Sequence, residues 1–196
     1  MKKSVILLLL ILLAGACISY QKPSSRPLSL FNTICAADEA LAASKNGQAV
    51  VFEGRKCTSG QKLWEDFRQK ADRGIPASVL CAHYHTLDPA HMSREYYEAE
   101  KDSYPRLFFY QLTYDGNAYT VTIRQSTEKE PECQERFLYL RHYTGEAPTQ
   151  ARFSSYEYYV LTDDPTVTWE TIEAGLFSSQ ADAGYRHCSV YQNTFD

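Results

Sequence analysis

The stretch from Arg106 to Gln125, RLFFYQLTYDGNAYTVTIRQ, decides the fold. Two runs rich in β-branched and aromatic residues flank Asp115-Gly116, a dipeptide suited to the φ > 0 geometry of a two-residue type I′ turn. The pattern predicts a β-hairpin in which Tyr114 faces Asn117, Leu112 faces Tyr119, Tyr110 faces Val121 and Phe108 faces Ile123. Alternation along a strand puts this set on one face, the core face. Phe109 with Thr122 and Gln111 with Thr120 take the other face, a mixed set suited to partial exposure or a thin helical cover.

Working outward, Phe137 to Tyr143 sets Leu138 and Leu140 against Phe137, Tyr139 and Tyr143, and Ser154 to Thr162 sets Tyr156, Tyr158 and Val160 against Tyr159 and Leu161, which predicts two more strands, joined by a turn over Gly145 to Pro148. Between them and the hairpin, Ser126 to Glu135 reads as a charged loop. Asp164-Pro165 ends the second strand, Thr168 is placed to cap a short helix with Trp169 and Ile172 on one face, and Arg186 to Tyr191 predicts a last edge strand.

On the N-terminal side, Leu30, Ile34, Ala37 and Leu41 recur at helical spacing, predicting a helix from Leu28 to Lys45 with Asn46-Gly47 as its stop. Ala49 to Phe52 suits a strand. Thr58 and Gln61 stand three apart, as in a capping box, ahead of a helix ending at Gly74 with Trp64, Phe67 and Ala71 facing inward. Ala77 to Thr86 predicts a strand broken by Asp88-Pro89, and Ala90 to Ser103 a loop or short exposed helix. The resulting fold class is α+β, an antiparallel sheet with the N-terminal helices packed on one face.

The first residues have a different character. Lys2 and Lys3 precede the apolar run Val5 to Ala14, the pattern of a signal peptide, and the run is about half the roughly 20 residues that a membrane-spanning helix needs. Residues 1–16 are therefore expected to be removed. Residues 17–27, with two prolines, three serines and no periodicity, form a tether, and residues 28–196 a single domain. Ala14-Gly15-Ala16 satisfies the rule of the ordinary signal peptidase, while Leu13-Ala14-Gly15-Ala16-Cys17 resembles the bacterial lipobox. That resemblance implies diacylglyceryl transfer to Cys17, cleavage before it, and a lipoprotein facing outside the cytoplasm and held to the membrane. In its tyrosine-rich strands and Tyr114-Asp115-Gly116 turn, the mature part resembles small uncharacterised bacterial lipoproteins.

Removing Lys2 and Lys3 from 20 basic residues leaves 18 against 24 acidic ones, a formal charge of −6. An acidic exported chain lacks the basic stripe that nucleic acid requires. Export also changes the meaning of Cys35, Cys57, Cys81, Cys133 and Cys188, which an oxidising compartment can pair. Five is odd, so lipidation of Cys17 would leave at least one thiol, whereas ordinary cleavage would leave six cysteines able to pair; the sequence does not give the connectivity.

Candidate chemistry is sparse. Cys81, His83 and His85 share one strand face by period-two alternation, with His91 in the following loop, and these are the residue types of a zinc site. Oxidation of Cys81 would remove the strongest ligand, so the cluster is not expected to hold metal, and no cofactor is expected. No G-x-S-x-G elbow or phosphate loop is present. Fifteen tyrosines remain. Tyr114, Tyr119, Tyr139, Tyr143, Tyr156, Tyr158 and Tyr159 are candidates for a binding face, since tyrosine offers a rigid amphipathic surface to a protein, peptide or glycan; tyrosine is also a good strand former that covers a half-buried sheet. The expectation is a non-enzymatic binding domain at the cell envelope, with an exported enzyme carrying a dispersed acid/base or metal site as the alternative.

Overall fold

The structure is a computed structural model that describes residues 30–149, 151–176 and 185–196. The expected signal segment, Cys17 and the tether lie outside these residues. In chain order the elements are α1 (Ala37–Ser44), β1 (Val50–Glu53), β2 (Lys56–Ser59), α2 (Gln61–Asp72), β3 (Ala77–His85), α3 (Arg94–Glu100), β4 (Arg106–Tyr114), β5 (Tyr119–Gln125), β6 (Cys133–Phe137), β7 (Tyr139–Glu146), β8 (Ser155–Thr162), α4 (Trp169–Leu176) and β9 (His187–Phe195), with short 3-10 turns on either side of α3. A six-stranded sheet has the order β2-β1-β3-β4-β5-β6, and a second sheet the order β7-β8-β9. All pairs are antiparallel except β1 with β3. Those two run parallel because β2 and α2 carry the chain back over the sheet before β3 begins, the long crossover that parallel neighbours need.

The fold is α+β, with helices on the larger sheet. Alternation in its strands divides its two faces between them. Val51, Leu80, Ala82, Leu107 and Phe109 point to α1 and pack with Ala37, Ala40, Leu30 and Phe31. Val50, Phe52, Val79, Cys81, Leu112 and Val121 point the other way, onto Trp64, Phe67 and Ala71 of α2 and onto Tyr159, Leu161, Val190 and Tyr191 of the smaller sheet. A sheet covered on both faces explains the near-continuous apolar runs in β1 and β3. The far side of the smaller sheet carries a third cluster of Tyr143, Tyr158, Val160, Val167 and Ile172, closed by α4.

The hairpin forms with a different register. Tyr114 faces Tyr119, Leu112 faces Val121 and Tyr110 faces Ile123, two residues away from the expected pairing. The loop is four residues, Asp115 to Ala118, because the Asp115 carboxylate accepts from the backbone N–H groups of Asn117 and Ala118 at 2.9 and 3.0 Å and so builds an Asx-type turn. A type I′ turn would need φ > 0 at Asp115 as well, and among these residues only Gly116, at φ +103°, has it. A shift of two preserves the faces, so the core side of the hairpin is the expected one.

Three other expectations change. The helix expected from Leu28 to Lys45 is not continuous: residues 33–36 are non-helical, and Ile34, placed in its inward stripe, is 55% exposed. Helical hydrogen bonding is diverted there, since Arg124 takes the carbonyls of Phe31 and Thr33 and the Cys35 N–H donates to the Ser126 carbonyl at 3.0 Å. The capping box is absent, because Thr58 belongs to β2 and donates to Glu53 at 2.9 Å, while Gln61 reaches the Cys57 carbonyl; Gly60 caps α2 at φ +82°. Lastly, the charged loop from Ser126 contains the start of β6. Phe137 is fully buried at its end, and the exposed Leu138, whose N–H is held by Asp163 at 3.1 Å, carries the chain into the second sheet.

Candidate functional site

A cleft lies on the outer side of the smaller sheet, where β7 and β8 meet the loop before α4. Its volume is about 280 Å³, and it is lined by Arg141, Tyr143, Thr144, Tyr156 and residues 166–170. Alternation on β7 sends Arg141 and Tyr143 to the same face, and β8 adds Tyr156 and Tyr158 from the facing strand. The Asp164-Pro165 break lets the chain turn back over this face. Asp164 fixes that turn by accepting from the hydroxyl and the N–H of Thr166, both at 2.7 Å, which hold its carboxyl below the usual range with a smaller contribution from Arg141. The Thr168 hydroxyl then accepts from the N–H of Thr171 at 3.3 Å, the expected cap of α4.

This cap delivers Trp169 over the tyrosines. Its ring centroid is 4.7 Å from that of Tyr158, 5.8 Å from Tyr156 and 5.9 Å from Tyr143. Tyr156 and Tyr158 stack at 5.0 Å, and the Tyr143 hydroxyl donates to the Val167 carbonyl at 2.8 Å, tying the loop to the sheet. Burial raises the Tyr158 phenol; at Tyr156, burial acts together with the nearby carboxylates of Glu170 and Glu173. Both hydroxyls are therefore neutral donors at ordinary pH. Arg141 makes no hydrogen bond or ion pair among the described residues, and its Nε is covered without an acceptor. The Glu170 carboxyl is held below its usual range, first by its own backbone N–H and then by the Thr168 hydroxyl.

The chain matches no family model, no curated protein and no solved structure.

The seven candidate tyrosines do not make one surface. Tyr143, Tyr156 and Tyr158 come together around Trp169. Tyr114 and Tyr119 face each other across the hairpin at 4.7 Å, with Tyr119 buried toward Phe67. Tyr159 is a core residue between Trp64 and Tyr191, covered on its other side by the stacked ring of His142 at 4.2 Å. Tyr139 is 39% exposed at the start of β7. Trp169, Arg141 and the three threonines were not among the candidates, although the alternation that selected Tyr143 also places Arg141 beside it.

The Cys81, His83 and His85 cluster is distributed along β3 from core to rim. Cys81 is fully buried, and His83, 2% exposed, is stacked on Phe52 at 4.5 Å and lies 4.4 Å from Tyr110. Burial, then the neighbouring His85, depresses His83 to about 3, while burial also lowers His85. His91 sits on the exposed turn, paired with Asp88 at 2.6 Å. Among the described residues no three His, Cys, Asp or Glu side chains gather as a metal-holding group.

The five described cysteines are free thiols. Cys57 and Cys81 lie on β2 and β3 with β1 between them, a separation of roughly 9.5 Å at normal strand spacing, too far for a disulfide. Burial pushes the Cys57 thiol up to about 11 and the Cys188 thiol to about 12, and raises Cys81 further. These are protonated, unreactive core groups.

Proposed function

We propose that the chain is exported, anchored through a diacylglyceryl group on Cys17, and folded into a binding domain at the bacterial envelope that takes its ligand in the cleft under Trp169. The observation that carries this reading is the convergence of Tyr143, Tyr156 and Tyr158 on Trp169 beside Arg141, whose Nε has no hydrogen-bond partner among the described residues. Aromatic walls with a few polar groups at the edge are the composition of a recognition site. The acidic balance of the chain and the signal-like Lys2 to Cys17 segment support an envelope location without nucleic acid. No helix among the described residues is long and apolar enough to cross a membrane, so on this reading attachment rests on Cys17. Two acyl chains suffice for stable anchoring where one is marginal.

Two experiments test the two halves of the reading. Mass spectrometry of the membrane fraction is expected to find diacylglyceryl on Cys17, with Cys17→Ser lost from the membrane; an unmodified Cys17 in a soluble product would overturn the anchor. For the cleft, the lipidated chain in detergent micelles is screened against immobilised glycans and short peptides. Trp169→Ala and Tyr156→Ala are expected to abolish the strongest signal while Tyr139→Ala leaves it, all three remaining folded by circular dichroism. Binding unchanged in both cleft variants would place the ligand elsewhere.

A further inference from the structure

We propose that the cleft takes a carboxylate-bearing saccharide ring, with Arg141 as the group that recognises the acid; this rests on the reading of the cleft as the ligand site. Three features lead to that chemistry. Tyr156 and Trp169, with centroids 5.8 Å apart and planes inclined at 42°, form a shallow wedge whose faces suit the flat C–H side of a sugar ring. Thr144 and Tyr156 offer hydroxyls that have no hydrogen-bond partner among the described residues, whereas the hydroxyls of Tyr143, Thr166 and Thr168 are committed to Val167, Asp164 and Thr171. Free hydroxyls at the rim of an aromatic wedge match the polar edge of the same ring. The volume, about 280 Å³, sits below the range for whole drug-sized ligands and suits one ring of a longer chain.

Arg141 supplies the third feature. A guanidinium is charged at all relevant pH and carries five N–H donors, and among the described residues this one makes no hydrogen bond, its Nε being covered without an acceptor. Covering Nε of this half-buried side chain without an acceptor is costly, and an acceptor on the ligand would satisfy it. The surroundings select the kind of acid. Asp164 is electrostatically close to Arg141, and Glu170 and Glu173 are close to Tyr156, so the local field opposes a dianion such as a phosphate monoester. A single planar carboxylate, matching the guanidinium fork in a bidentate pair, is the acid that fits. Gly145 keeps the wedge in place, because a Cβ there would lie 2.7 Å from Cζ of Tyr156 and force that ring to move.

The test compares tri-galacturonic acid with the neutral trisaccharide of galactose, titrated into the lipidated full chain in detergent micelles and followed by tryptophan fluorescence. The acidic sugar is expected to bind about tenfold more tightly than the neutral one at low salt, the gain of one charge-assisted bidentate contact. Arg141→Gln is expected to remove that preference, and Arg141→Lys to restore only part of it. A thermal melt confirms that both variants fold. Equal affinity for the two sugars, or a preference that survives in Arg141→Gln, would overturn the inference while leaving a glycan-binding cleft intact. Binding of peptides but of neither sugar, sensitive to Trp169→Ala, would overturn the inference and keep the cleft; binding of no probe through Trp169 would end both.

Discussion

Arg124 on β5 donates through Nε to the carbonyl of Phe31 at 2.8 Å, joining positions 93 residues apart. The rest of its guanidinium holds the carbonyls of Thr33 at 2.9 Å and Gln125 at 3.0 Å, together with that of Glu128, and lies near the rings of Phe31 and Phe109. With the side chain 2% exposed, the charge is compensated by backbone dipoles. Arg124→Met keeps the bulk and strands several carbonyls, and because each unsatisfied buried group costs about 1–3 kcal/mol, a loss of roughly 3–5 kcal/mol is expected in urea denaturation. Arg124→Lys is expected to recover only a fraction, since an ammonium cannot reach so many acceptors in a plane. A loss below about 1 kcal/mol for Arg124→Met would mean that the clamp is not what holds residues 31–33 to the sheet.

The hairpin gives a second prediction. Asp115 accepts from two backbone N–H groups and pairs with Arg136 at 2.8 Å; the N–H groups of Ala118 and Asn117, followed by Arg136, hold its carboxyl at about 2. Asp115→Ala is expected to lower the melting temperature more than Asn117→Ala, and Asp115→Asn to keep most of the wild-type value because its amide oxygen can still accept. Equal melting temperatures for Asp115→Ala and Asn117→Ala would remove the carboxylate as the organiser of the turn.

Much of this fold was legible because period and punctuation agreed. Trp64, Phe67 and Ala71 face the core as helical spacing requires, and the hairpin keeps its expected core face because its register differs from the expected one by an even number of residues. What the sequence concealed were decisions made by distant partners. Nothing local to Ile34 says that Arg124 will claim two nearby carbonyls, nor does anything local to Cys133 say that a charged stretch will be recruited as β6 by pairing with β5. The cleft was half visible for the same reason. Tyr143 and Tyr156 are candidates by residue type, whereas Arg141 joins the cleft only because the fold-back after Asp164-Pro165 turns its face into a pocket wall.

Gly60 shows how a glycine can be required twice over. Its φ is +82°, and a Cβ added there would meet the backbone of Ala49 and lie 2.7 Å from Cα of Val50; Gly47, at φ +78°, has nothing within 4 Å. Gly47→Ala should therefore cost only the left-handed strain of about 1–2 kcal/mol. Gly60→Ala adds a collision with unyielding backbone at the start of α2 and is expected to cost at least about 2 kcal/mol more, in line with overpacked cores. Equal midpoints for the two variants in chemical denaturation would count against the close approach of β1 to the α2 cap.

His83 makes stability depend on pH. Its folded pKa, about 3, lies below the ordinary 6.5 because burial between Phe52 and Tyr110 penalises the imidazolium, with the charge of His85 adding to it. The unfolded chain binds the proton first as acid is added, so this contribution is fully present above pH 6.5 and falls away as pH drops from there toward 3. The slope approaches about 1.4 kcal/mol per pH unit for a single group. His83→Leu removes the proton-binding site while keeping an apolar side chain, so between pH 6 and 4.5 wild type is expected to lose stability relative to the variant at about that rate. Carboxylates titrating at lower pH are common to both proteins and cancel in the difference. Two stability curves that run parallel across this window would show that His83 is protonated as readily in the fold as outside it, and hence that the core is open to water at β3.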